Sequence, residues 1–215
     1  MLNFFKSKRK TKSLIKEISH SPSPQTNVAL RDLPILNGVD LVALSTPPQD
    51  INFSEWLAVN VFDFYNITNA IYALISPTCT ELSCPTMCGV EDVVYRWPTP
   101  DGAVELSAPI YIEKLLSWIN ISLQTDDIFP FFIEKSLPGN FDSTASQILR
   151  RLLRVYVHIY YHHFQDIEAI NFGSHFITAF AHLMLFVVQN SLISMDELGT
   201  FGPIVNIFFR DINLQ

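Results

Sequence analysis

Two cysteines in a C-x4-C pair, Cys79 and Cys84, and three histidines, His158, His162 and His163, are the residues whose types and spacing fit metal chemistry. Zinc accepts two thiolates and two imidazoles in a tetrahedron, and a loop can carry sulfur ligands to the side of a helix that bears the imidazoles. Spacing alone leaves open which two histidines would bind. On an ideal helix His158 and His162 share a face, whereas His158 and His163 differ by about 140°, so His163 needs a helix end, a π-bulge or an approach from the ion's other side. Cys88 is a third thiol nearby, in a context that gives no positive reason to choose it. Taken alone, C-x4-C describes buried or incidental cysteines equally well. A catalytic zinc would need an open coordination position and a carboxylate base, and H-I-Y-Y-H-H lacks the Glu of H-E-x-x-H. A zinc hydrolase is therefore the weaker reading beside a structural site. The sequence also lacks a Gly-rich phosphate loop, a G-x-S-x-G elbow and a kinase signature.

Arg150, Arg151 and Arg154 form a second constellation, because helical turning places them within a sector of about 100°. Three guanidiniums within a turn can clamp a phosphate by charge-assisted bonds. The plainer alternative is a solvated helix face. A third strip, Glu55, Val59 and Asp63 bordered by Trp56, is either a solvated edge or a seat for a basic amphipathic helix.

These residues need elements to hold them. The chain is organised around residues 148 to 164, in which Ile148, Leu149, Leu152, Tyr156, Ile159, Tyr160 and His163 recur at helical steps. This element is predicted to present an apolar face to the core and a cationic face opposite, with Asp142 or Ser143 as its cap. Ser54 is the expected cap of a first core helix that runs to Ser76-Pro77. Strand-like pieces Val93 to Trp97 and Ala103 to Leu106, joined by P-T-P-D-G, predict a small hairpin. Ser107-Ala108-Pro109 opens a helix to about Gln124, residues 125 to 140 read as loop, and helical patterns at about 170 to 190 and 195 to 209 finish the chain. The sum is an all-α bundle with one small hairpin.

Composition supports a single globular domain: 215 residues, 48% of them hydrophobic and 13% aromatic. The longest apolar run, Phe176 to Val188, contains His182 and is shorter than the roughly 18 residues a bilayer span needs, so no membrane span is expected. Six of the fourteen Lys and Arg residues precede the first acidic residue, Glu17, and the other eight face all 21 acidic residues, a formal −13. Such a surface repels phosphate backbones and excludes nucleic acid as the partner of the folded part, whereas a basic peptide fits it. Residues 1 to 48 read as a mobile arm, basic and then Ser/Pro-rich, within which 33 to 44 could dock or form a short helix. The start M-L-N-F-F-K-S-K-R-K lacks a secretory signal's apolar centre, so the chain is expected in the cytoplasm, with the nucleus as a second location.

Several pieces, taken in order, resemble the Mob (Mob/phocein) family of kinase co-activators: E-W-L-A-V-N-V-F-D-F-Y-N (55 to 66), C-T-E-L-S-C-P-T-M (79 to 87), Y-R-W (95 to 97), S-A-P-I-Y-I (107 to 112), D-I-F-P (127 to 130) and R-R-L-L-R-V-Y-V-H-I-Y-Y-H-H-F (150 to 164). The resemblance covers roughly residues 50 to 210. It implies a non-catalytic Mob-type helical bundle over residues 49 to 215, with a structural Zn2+ held by Cys79, Cys84, His158 and His163. It further implies that Glu55, Trp56, Val59 and Asp63 belong to an acidic surface that receives the basic N-terminal extension of an NDR/LATS-type (AGC) kinase, in Hippo-like or mitotic-exit-type signalling. Arg150, Arg151 and Arg154 match the family's phosphopeptide pocket, whose partner would be a phosphorylated upstream kinase or scaffold. The sequence departs from the family before the first helix, where P-P-Q-D-I-N-F retains only Asp50 of an acidic segment. After His163 it carries N-F-G-S-H-F-I-T-A-F, and Ala181 replaces the usual lysine. A phosphopeptide-binding scaffold that does not activate a kinase is the alternative that these departures allow.

Overall fold

The computed structural model describes residues 35–90, 93–130, 136–201 and 204–205. Its elements in chain order are α1 (Leu41–Leu44), α2 (Phe53–Ile75), β1 (Trp97–Thr99), β2 (Gly102–Val104), α3 (Ala108–Leu123), α4 (Phe141–His162), α5 (Phe164–Ala169), α6 (Gly173–Gln189) and α7 (Met195–Gly199). The helices expected from Ser54, from Ser107, over 148 to 164 and over about 170 to 190 are present in a mainly helical bundle with one two-stranded antiparallel sheet. Of the helix expected over 195 to 209, the element α7 covers Met195–Gly199.

Helix α4 is the centre of the bundle, touching α2, α3, α5 and α6. Between Leu152 and Tyr160 only Arg154 escapes full burial, so this stretch is enclosed on nearly all sides. The two-faced helix that the sequence predicts is therefore realised differently. Its arginines are half-buried, Arg151 and Arg154 against neighbouring rings, and His158 is fully enclosed. Tyr156 stacks on Phe176 and Phe180 of α6 with ring centroids 5.8 and 5.4 Å apart. Phe64 of α2 meets Phe186 of α6 edge-on at 5.1 Å. Such aromatic pairs add about 0.5–1.5 kcal/mol each beyond the area they bury.

Helix α2 is capped by Asn52, not Ser54: the Asn52 side chain accepts from the backbone amides of Ser54 (2.9 Å) and Glu55 (3.2 Å). Ser54 is used elsewhere, donating its hydroxyl to Asp142 at 2.6 Å and tying the start of α2 to the start of α4. Neither Asp142 nor Ser143 caps α4; that position is Asn140, which makes no side-chain capping bond.

The hairpin is displaced from its expected position. Trp97 pairs with Val104 and Thr99 with Gly102, and the turn closes with Gly102 at φ +124°, a conformation that glycine adopts without strain. Residues 94 and 95 pair backward with the preceding loop instead, because Met87 donates to Leu106 O (2.7 Å) and accepts from Tyr95 N (2.8 Å), while Cys88 bridges Val94. The loop that carries the cysteines is thus stitched to the hairpin base.

Of the expected arm, residues 1–34 lie outside the described residues. The stretch from residue 35 docks: Leu41 is buried, Leu36 N donates to Thr178 Oγ1 (3.0 Å), and Asn190 Nδ2 donates to Ser45 O (3.0 Å). Gly202, Pro203 and residues 206 to 209 of the last expected helix also lie outside the described residues.

Candidate functional site

The two cysteines of C-x4-C sit in a turn that continues from the end of α2. Cys79 N donates to Ile75 O (2.8 Å) and Cys84 N to Thr80 O (2.8 Å). Ser83 fixes the loop's curvature, donating to Thr78 O (2.6 Å) and accepting from Thr80 N (2.9 Å). This turn aims both sulfurs at the C-terminal end of α4. Cys79 Sγ lies 3.6 Å from His158 Nε2, and Cys84 Sγ lies 3.3 Å from His163 Nε2. Cys79, Cys84, His158 and His163 are all buried, and their ligand atoms lie within 4.8 Å of one another.

The choice between His162 and His163 has a physical explanation. Helix α4 ends at His162, and His163 takes φ −132° and ψ 11°, the junction from which α5 starts. That break swings His163 out of the regular helical sequence of directions and onto the side of His158. It is the helix-end solution to the angular mismatch of an H-x4-H pair.

Both rings are oriented by bonds on their other nitrogen. His158 Nδ1 lies 2.8 Å from the backbone oxygen of Cys88, and His163 Nδ1 lies 2.9 Å from Asp166 Oδ2. With Nδ1–H donating in each, Nε2 presents its lone pair to a thiol, the arrangement by which outer partners set the tautomer of metal-binding imidazoles. Thr78 donates to Asp166 at 2.8 Å, and the bonds from His163 and Thr78 hold the Asp166 carboxyl below its ordinary range. Burial pushes the His158 imidazole down to about 3, and burial together with Cys84 pushes the Cys79 thiol up. The enclosed site therefore favours neutral donors when no cation is present, and a bound cation reverses that preference for the thiols.

The donor set fits zinc. A tetrahedral ion with Zn–S of about 2.3 Å and Zn–N of about 2.0–2.1 Å has S···N edges of about 3.6 Å. Edges of 3.6 and 3.3 Å are already close to that length. Four protein donors close the site and leave no position for a substrate.

Sequence reasoning did not identify the outer partners Asp166, Thr78 and the Cys88 carbonyl, nor the part played by Gly89. A β-carbon at Gly89 would collide with Tyr95 Oη and lie 2.7 Å from Val157 Cγ1, so only glycine lets this loop approach α4 closely enough for Cys88 O to reach His158.

The arginines are brought together, each on its own support. Arg151 lies between two indoles, its guanidinium carbon 5.0 Å from the Trp97 ring centre and 4.9 Å from that of Trp118. Arg154 donates to Tyr111 Oη (3.1 Å) and lies over Tyr95 at 5.3 Å. Burial lowers the Arg151 pKa, and the neighbouring Arg154 and Arg150 act in the same direction. Arg150 pairs with Glu197 of α7 at 2.8 Å. Among the described residues no carboxylate pairs with Arg151 or Arg154.

Glu55, Val59 and Asp63 are exposed on α2, as the strip requires, whereas Trp56 is half-buried and stacks on Phe186 with centroids 4.9 Å apart. The same face carries side chains that sequence reasoning passed over. These are Phe62, 52% exposed beside the expected Val59 at 61%, and Ile67 and Leu74, exposed further along.

The fold and site define a class: a helical protein with a closed Cys2His2 cluster and an arginine cluster backed by aromatic rings. The model of the Mob1/phocein family matches residues 34–201. The chain is 41% identical over 166 residues to human MOB kinase activator 3A, covering 75% of this chain and 76% of that one. It is 38% identical over 178 residues to the Drosophila melanogaster MOB kinase activator-like 3, covering 81% of each. It is 36% identical over 173 residues to the Dictyostelium discoideum MOB kinase activator-like 1 homolog A, covering 79% of this chain and 80% of that one. The chain belongs to the Mob1/phocein family and is not an enzyme. Among the described residues no helix is long and apolar enough to cross a membrane.

Proposed function

We propose that this protein is a zinc-stabilised adaptor and co-activator of a protein kinase of the NDR/LATS type, acting in Hippo-like or mitotic-exit-type signalling in the cytoplasm and nucleus. The observation that carries the reading is the outer face of α2, where Val59 and Phe62 stand more than half exposed beside Glu55 and Asp63. A merely solvated helix edge does not need adjacent large apolar side chains, whereas a basic amphipathic helix has an apolar stripe for Val59 and Phe62 and cations for the two carboxylates. The relatives named as kinase activators supply the class of partner.

Zinc, held by Cys79, Cys84, His158 and His163, has a structural role: it locks the end of α2 to the end of α4 and so fixes the helix that presents the docking face. The arginine cluster reads a phosphorylated upstream kinase or scaffold. Trp97, Trp118, Tyr95 and Tyr111 hold Arg151 and Arg154 in place, which reduces the entropy lost on clamping a phosphate. The second reading, a phosphopeptide-binding scaffold without kinase activation, is favoured by the loss of the acidic segment before α2, where Asp50 alone remains.

The test is titration of the protein with the N-terminal extension of an NDR/LATS-type kinase from the same source. Tight binding that weakens with salt and is lost in Asp63→Lys supports the co-activator. A folded, zinc-loaded protein that binds phosphopeptide but not this extension supports the scaffold instead.

A further inference from the structure

Beside the enclosed ligand set lies a third sulfur–nitrogen pair that the structural site does not use. Cys88 Sγ is 3.4 Å from His162 Nε2, between the 3.3 and 3.6 Å of the two buried pairs. Cys88, His158 and His162 form a second group whose ligand atoms lie within 4.8 Å of one another. The two groups share His158 and differ in access. All four residues of the inner set are buried, whereas Cys88 is half-buried and His162 exposed. The His158 and His162 rings stack with centroids 4.8 Å apart, one turn from each other on α4.

We infer that Cys88 and His162 form an outer ligand pair through which zinc enters and leaves the buried Cys79–Cys84–His158–His163 set, with His158 the ligand common to both. The inference rests on the zinc reading of the inner set. A four-coordinate ion enclosed by protein leaves slowly if its ligands must all let go into water. An adjacent thiolate and imidazole allow stepwise replacement, each new bond forming before an old one is lost. Cys88 binds as its thiolate, giving its thiol proton to water on capture and regaining one when the ion moves on. His162 uses the lone pair of Nε2, with its proton on Nδ1. In the metal-free protein His162 Nε2–H donates to Gly89 O at 3.2 Å. Capture of the ion requires the ring to move its proton to Nδ1 and give up this bond, which holds the pair ready on the same loop whose Cys88 carbonyl orients His158. Two protein donors bind more weakly than four, as a transfer position requires. A plain hydrogen bond between Cys88 and His162 would account for the short distance but would have no effect on metal kinetics.

The experiment loads the full-length protein with one equivalent of zinc and follows its withdrawal by an excess of a chromogenic chelator. Wild type is compared with Cys88→Ser, His162→Gln and the double variant, and equilibrium affinity is measured by chelator competition in parallel. The expected result is that each single variant releases zinc about three- to tenfold more slowly than wild type. Affinity stays close to that of wild type, because a transfer position changes entry and exit together. The double variant is no slower than the slower single variant, since both residues serve one route. Unchanged release rates overturn the inference and leave the buried site standing. Rates that change only in proportion to affinity also overturn it, because the two residues then contribute to stability alone. A folded wild-type protein that binds no zinc overturns the zinc reading itself, and the inference falls with it.

Discussion

His158 donates its Nδ1 proton to the carbonyl oxygen of Cys88 across 2.8 Å, joining positions 70 apart in sequence, and this bond leaves Nε2 turned toward Cys79. The cluster therefore depends on its outer bonds as well as its ligands. Cys79→Ser and His158→Ala are expected to lose bound zinc and to melt well below wild type, since structural zinc in small domains contributes about 10–16 kcal/mol of apparent folding free energy. Asp166→Asn, which weakens the hold on His163, should lower zinc affinity about 10- to 100-fold with the fold retained. Thermal melts with and without chelator check this: chelator should lower the midpoint of wild type and leave that of Cys79→Ser unmoved.

The buried histidines make stability depend on pH. His158 has a pKa of about 3 when folded, against an ordinary value of 6.5, and burial also lowers His182, opposed by a bond to the Leu44 backbone and by Asp63. Below the ordinary value the unfolded chain takes up protons that the folded chain refuses. Stability is thus fully present above about pH 6.5 and falls as the pH drops toward 3, by at most about 1.4 kcal/mol per pH unit for each histidine. With zinc bound, protons compete for the ligands and the sign is the same. Urea midpoints should fall between about pH 7 and about pH 5, and His182→Leu should make that slope shallower. An unchanged slope would mean that His182 takes up protons equally in the folded and the unfolded chain.

The exposed face of α2 separates binding from folding. Phe62 is 52% exposed, so Phe62→Ser should shift the melting midpoint little, surface changes of this kind being worth about ±0.5 kcal/mol. Loss of an aromatic anchor from the middle of a docking face commonly costs about 2 kcal/mol or more, a loss of roughly 30-fold in affinity for the kinase segment. Calorimetric titration of Phe62→Ser beside Asp63→Lys measures both contributions. If affinity is retained in Phe62→Ser, the partner lies against another face.

The helices were legible because their apolar spacing survives in the fold: the predicted stripe Ile148, Leu149, Leu152, Tyr156, Ile159 and Tyr160 is buried throughout. The cysteine and histidine types pointed to the cluster. The ligand choice could not be read from spacing, because the break after His162 falls inside Y-Y-H-H-F-Q-D, which contains neither glycine nor proline. Its signal was Asp166, three residues after His163 in the first turn of α5, but this is recognisable only once Thr78 and His163 are seen to converge on it. The cap of α2 was misplaced for a related reason. Asn52 and Ser54 are both good cap residues, and the contact that decides between them, Ser54 to Asp142, spans 88 positions. The aromatic supports of the arginines come from β1, α3 and the loop before them, so no local pattern on α4 announces them.

Arg150 is occupied by an acid of its own chain, and this sets the expected behaviour of the arginine cluster. Glu197 Oε1 lies 2.8 Å from Arg150 Nη1, while the other carboxylate oxygen caps the start of α7, accepting from Ser194 N at 3.3 Å. Both partners of the pair are about one-third exposed, so the attraction is partly screened. A phosphate arriving on Arg151 and Arg154 must share Arg150 with Glu197 or displace it. In Glu197→Gln the competing charge is gone and Arg150 can turn to the ligand. That variant should bind a phosphothreonine peptide several-fold more tightly at low salt, while losing at most about 1 kcal/mol of stability with the Arg150 pair, since Gln also completes the α7 capping box. Arg151→Ala should lose both binding and the packing between Trp97 and Trp118, each cation–π contact being worth about 0.5–2 kcal/mol. Fluorescence anisotropy with the phosphorylated and unphosphorylated forms of one peptide reads both effects. Equal affinity of Glu197→Gln and wild type for the phosphorylated form would show that Arg150 takes no part in phosphate recognition and that the site consists of Arg151 and Arg154 alone.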